Sequence, residues 1–86
     1  TSLVLTTGGT VGLTITTAKD ATFAGKIIGS NTIRLKGYTV AGLPTGTVGD
    51  TAYVTNALAP AFGATVAGGG AVVVPVFYDG TNWIVG

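Results

Sequence analysis

Val72-Val73-Val74-Pro75-Val76-Phe77-Tyr78, then Asp79-Gly80-Thr81-Asn82, then Trp83-Ile84-Val85, is the stretch that decides the fold class. Two runs rich in β-branched and aromatic residues flank a four-residue segment with Asp-Gly turn chemistry, the pattern of a β-hairpin. Tyr78 and Trp83 face each other across that turn, which makes a cross-strand packing pair the simplest role for both. The same signal recurs towards the N-terminus. Leu3 and Leu5, then Val11, Leu13 and Ile15, alternate with small or polar residues, and Gly8-Gly9 supplies a turn between the two runs. Ala21 and Phe23 form a weaker strand pattern. Ile33 and Leu35 against Arg34 and Lys36 form a clean one, with Ser30-Asn31 as the turn before it. Thr51 to Thr55 reads as a short strand with Tyr53 on the face opposite Ala52 and Val54. Nothing reads as a helix.

The segments between strands divide the chain. Gly42 to Asp50, with Pro44 and three glycines, disfavours any regular element and is expected to be a linker or loop. Asn56 to Ala71 is an Ala/Gly-rich excursion containing Pro60 and Gly68-Gly69-Gly70, a span long enough to need a function or support from neighbouring subunits. The expected fold is therefore all-β. A short-stranded β stem over residues 1–41 and a linker or loop over 42–50 lead to a compact β-rich head over 51–86 that ends in the hairpin.

Composition then sets the demand for partners. The 86 residues are 47% hydrophobic and 8% charged, and the mean hydropathy is +0.63. Soluble domains carry about 25% charged residues, so a monomer of this size would expose more contiguous apolar surface than a soluble protein tolerates. A membrane does not take the surplus, because the longest apolar run, Ala71 to Tyr78, falls far short of a span of about 20 residues and contains Pro75. An oligomer is expected instead. The chain opens at Thr1 without a basic and apolar leader, as a piece of a longer protein would. Lys19, Lys26, Arg34 and Lys36 are spread too thinly, with only Phe23 among them, to form a nucleic-acid face.

Chemistry is sparse. With neither His nor Cys the chain lacks the parts of a Ser/His/Asp or Cys/His nucleophile system and the usual ligands of transition metals. Its three acids, Asp20, Asp50 and Asp79, lie in polar or Gly-flanked stretches where turn duty is the ordinary role. No catalysis and no cofactor are expected. Gly68-Gly69-Gly70 lacks the Lys-Ser/Thr of a phosphate loop and serves backbone conformation instead. Tyr38, Tyr53, Tyr78, Asn82 and Trp83 are the residues suited to stack on a sugar and hydrogen-bond it, although aromatics in a small β domain usually build its core.

Gly37-Tyr38-Thr39-Val40, Leu43-Pro44, Gly49-Asp50, Ala52-Tyr53-Val54-Thr55-Asn56-Ala57, Gly68-Gly69-Gly70 and Pro75-Val76-Phe77-Tyr78-Asp79-Gly80-Thr81-Asn82-Trp83, in that order, resemble the C-terminal ends of many phage tail fibre, tailspike and related virion proteins. Residues 1–36 are similar only in style, to the Thr/Gly-rich β stems that precede such ends. The resemblance implies an intertwined or axially packed homotrimer in the virion, assembled in the host cytoplasm and joined to the rest of a fibre or spike chain. Its role would be trimerisation and capping or, alternatively, recognition of host surface polysaccharide at a receptor-binding tip. In such a trimer Val11, Leu13, Ile15, Ile33 and Leu35 are the expected axial contacts. Strand alternation would turn Arg34 and Lys36 outward.

Overall fold

A computed structural model describes residues 2–86. Among the described residues strands dominate and helix is confined to one 3-10 turn, Val40–Gly42, so the fold is all-β. It forms two compact units, one ending at Ile33 and the other running Arg34–Gly86. The stem-to-head boundary expected at 41–42 thus falls earlier.

The first unit is a three-stranded antiparallel sheet of β1 (Leu3–Thr7), β2 (Thr10–Ile15) and β3 (Ala21–Phe23), in that order. Gly8 and Gly9, both at positive φ, make the tight turn between β1 and β2 that their sequence promises. The cross-strand register places Leu3, Ile15 and Ala21 in one row and Leu5, Leu13 and Phe23 in the next. Directly paired residues share a face, and so do residues two apart along a strand. All six therefore lie on one face, with Val4, Thr14 and Thr22 on the other. The pairing shifts between Leu5 and Thr6, where Gly12 is the extra residue and Val11 comes opposite Thr6. Val11 is thereby moved to the face opposite Leu13 and Ile15, a correction to the alternation that placed all three together. No residue from 2 to 33 is buried, and only Gly12 to Thr16 are half-buried.

The second unit has a core. Its sheet runs β4 (Gly37–Tyr38), β5 (Thr51–Ala57), β6 (Val72–Tyr78) and β7 (Trp83–Val85), with β4 parallel to β5 and the other pairs antiparallel. Ala52, Val54, Val76 and Val85 share the inner face by register, and Val54 is fully enclosed. A bulge in β5 between Val54 and Ala57 restarts the alternation, so that Ala57 is also buried. Val66 completes the cluster, with Tyr38, Val40, Leu43, Val74 and Trp83 packed around it.

Two further expectations are corrected, and between linker and loop the segment Gly42 to Asp50 is the loop. Ile33 and Leu35 lie in no strand; residues 32–36 take no regular structure and both side chains are exposed. Gly42 to Asp50 is not a linker but a loop built into the second unit. Leu43 packs on the core, the Trp83 indole donates to the Pro44 carbonyl at 3.1 Å, and Gly49 N–H donates to the Tyr78 carbonyl at 3.0 Å. The excursion after β5 begins past Ala57, and its support comes from its own chain. Leu58 N–H donates to Ala67 O at 2.9 Å, Val66 N–H to Trp83 O at 2.9 Å, and Val85 N–H to Ala64 O at 2.9 Å. The last two cover the free edge of β7, which would otherwise invite another strand. Gly70 is required there because a Cβ at that position would collide with the Ala57 backbone.

Candidate functional site

The hairpin turn shows how completely the local chemistry is used. The Asp79 carboxylate accepts the backbone N–H of Thr81 at 2.8 Å and of Asn82 at 2.7 Å, and Asp79 N–H donates to Asn82 O at 3.1 Å. These amides, Asn82 first and then Thr81, hold its carboxyl below the usual range, since hydrogen bonds to the ionised form favour it. Asp50 has the same kind of duty: its carboxylate accepts Thr47 N–H at 2.9 Å, while Asp50 N–H donates to Thr47 O at 2.9 Å. Both acids are thus engaged in turns. Asp20 takes part through its backbone, accepting Thr16 N–H at 3.0 Å.

The five residues suited to a sugar do not converge. Tyr78 and Trp83 meet as expected, edge to face with ring centroids 5.4 Å apart. Their polar handles are already taken, the Tyr78 hydroxyl donating to Thr81 O at 3.1 Å and the indole to Pro44 O. Tyr38 pairs with Val54 on the core-facing side, and the Lys36 ammonium lies 5.2 Å from its ring centroid. Tyr53 is on the opposite face of the same sheet, and its ring lies so closely over Gly37 that a Cβ there would have no room. Asn82 is exposed in the turn. Three aromatics on one side, one on the other and an amide beyond the strand end are positioned for packing, and no cavity gathers them among the described residues.

The surface that does gather residues is the apolar face of the first sheet. Sequence reasoning picked out Leu13 and Ile15 but missed Leu3, Leu5 and Phe23 as their companions. Their alternation was visible, yet only the register of β1 and β3 on β2 aligns them. Leu3 is 56% exposed, Leu5 53% and Phe23 44%. No charged residue lies in β1, β2 or β3.

Comparison with known proteins gives no match to a family model, a curated protein or a solved structure.

Proposed function

We propose that the chain is a non-catalytic trimerisation and capping module, at the end of a fibre- or spike-like virion protein of the kind its second half resembles. The observation that carries this reading is the contrast between its two units: Arg34–Gly86 owns a buried core, whereas residues 2–33 have no buried residue and their sheet gathers Leu3, Leu5, Leu13, Ile15, Ala21 and Phe23 on one face. A sheet of three short strands needs an apolar face packed on something to be stable. The second unit is then the cap and the first is the part completed by assembly, with Leu13, Ile15 and Ile33 among the buried contacts and Leu35, at the start of the second unit, beside them. The alternative of a polysaccharide-binding tip gains no support from Tyr78 and Trp83, whose N–H and O–H donors are engaged by the Thr81 and Pro44 carbonyls. Assembly couples stability to mass action. The melting temperature of the purified chain should therefore rise with protein concentration; a value constant over a hundredfold dilution would overturn the reading.

A further inference from the structure

From the bonding of the hairpin turn, we infer that Asp79-Gly80 is a covalent modification site that the fold keeps latent: the turn holds the Asp79 side chain against attack by the Gly80 nitrogen, and opening the turn releases that chemistry. Asp79 is the one acid of the chain followed by glycine, and no asparagine is. Glycine in that place leaves the attacking nitrogen unshielded by a side chain and its backbone free to turn. In the reaction the Gly80 nitrogen bonds to Asp79 Cγ and gives up its proton, and one carboxyl oxygen leaves as water, closing a succinimide ring. Water then opens the ring. Adding at Cγ, it restores aspartate; adding at the main-chain carbonyl, it leaves Gly80 joined through Cγ as isoaspartate, with one more methylene in the main chain. Water is lost and regained, and nothing is oxidised or reduced.

Burial does not guard the site, since Asp79 and Gly80 are both exposed. The bonds of the turn do. Asp79 Oδ1 reaches past Gly80 to accept the N–H of Thr81 at 2.8 Å and of Asn82 at 2.7 Å, and Asp79 N–H donates to Asn82 O at 3.1 Å. For the Gly80 nitrogen to meet Cγ, the side chain must rotate about Cα–Cβ and present the face of its carboxyl group, which breaks both side-chain bonds. Gly80, at a φ of 104°, is braced from beyond as well, because the Thr81 carbonyl accepts the Tyr78 hydroxyl at 3.1 Å. The same amides keep the carboxyl ionised at neutral pH, and a carboxylate accepts a nucleophile less readily than the acid does. Conversion is therefore governed by how often the turn opens. It is also final for the hairpin: the lengthened main chain takes the carboxylate away from the Thr81 and Asn82 amides and spoils the spacing that sets Tyr78 edge to face with Trp83.

The full chain, incubated at neutral pH either folded or in concentrated urea, tests this by mass spectrometry of the peptide carrying residue 79, in which isoaspartate is resolved from aspartate. Isoaspartate should accumulate at least tenfold more slowly in the folded chain. Asp79→Asn keeps an acceptor oxygen without the charge and loses ammonia in the same ring closure. With the folded Trp83 fluorescence retained, it should also react at least tenfold more slowly than in urea, which assigns the protection to the bonds of the turn. Equal rates in the folded and unfolded wild type, or no isoaspartate even in urea, would overturn the latent site, and equal rates in the folded and unfolded variant would overturn the role of the bonds. Isomerised chains returned to native buffer should lack the native Trp83 emission; its full recovery would show that the hairpin tolerates the longer main chain and would overturn the finality of the conversion. None of these outcomes depends on whether the chain assembles.

Discussion

Asp79 is where a single residue carries the most local structure. Because backbone donors lower its folded pKa, its contribution is fully present above the ordinary carboxylate pKa and is lost as pH falls through the lowered one. The hairpin should therefore loosen only in acid below the usual aspartate range, and in Asp79→Asn that acid-dependent step should vanish from NMR shifts of the Thr81 and Asn82 amides. A step of unchanged midpoint in the variant would contradict the assignment. Val54, fully enclosed, sets the scale of the core: Val54→Ala should cost about 2 kcal/mol in a denaturant titration. Gly70→Ala should cost about 1–3 kcal/mol for a different reason, since the added methyl meets the backbone of Ala57 and Leu58 rather than a side chain that can move aside. Of these roles, sequence disclosed the turn chemistry of Asp79 and the Tyr78-Trp83 pair, because both depend on neighbours a few residues away. The need for Gly70 was visible only as a glycine run, since the carbonyl it avoids belongs to β5.

Among the elements, the hairpin of β6 and β7 and the turn between β1 and β2 were legible because short-range turn chemistry and period-two alternation agree in both. Sequence leaves Gly42 to Asp50 between linker and loop because Gly and Pro punctuate a docked loop and a free linker alike. What distinguishes them here is the set of bonds to Tyr78 and Trp83, from far along the chain. The alternation of Ile33 and Leu35 failed as a strand signal because no neighbouring strand pairs with residues 32–36; only Lys36 O is engaged, accepting Tyr53 N–H at 3.4 Å. From Gly25 to Leu35 no backbone hydrogen bond is made among the described residues. Backbone with so few partners opens most readily. Limited proteolysis of the dissociated chain should therefore cut first between Gly25 and Lys36, at Lys26, Arg34 or Lys36 with trypsin. Earlier cleavage within Gly42 to Asp50, by a protease of broad specificity, would contradict this ranking of the two segments.

For the whole molecule, composition stated a demand that the fold meets only in part. A chain with 47% hydrophobic residues and four cations against three acids has little with which to keep apolar surface apart in water. The second unit encloses a core around Val54, Val76 and Val85 while leaving Phe62, Val48 and Val73 exposed, and the first unit encloses nothing, with Leu3, Leu5 and Phe23 open on one face of its sheet. A surplus of apolar surface was legible from this balance, but its placement was not, because pairing register is set by contacts between strands and by the Gly12 bulge. Ile33→Asp tests assembly beyond that face. In a trimer it would place three like charges close together on assembly, and the mass should fall to that of a single chain. The most direct measurement is light scattering of the unmodified chain from roughly 1 to 100 µM, a range over which mass action separates assembly from its absence. Three chains of 8.4 kDa give about 25 kDa, the mass expected across most of that range; a constant 8.4 kDa would contradict the claim that the first unit obtains its core from other copies.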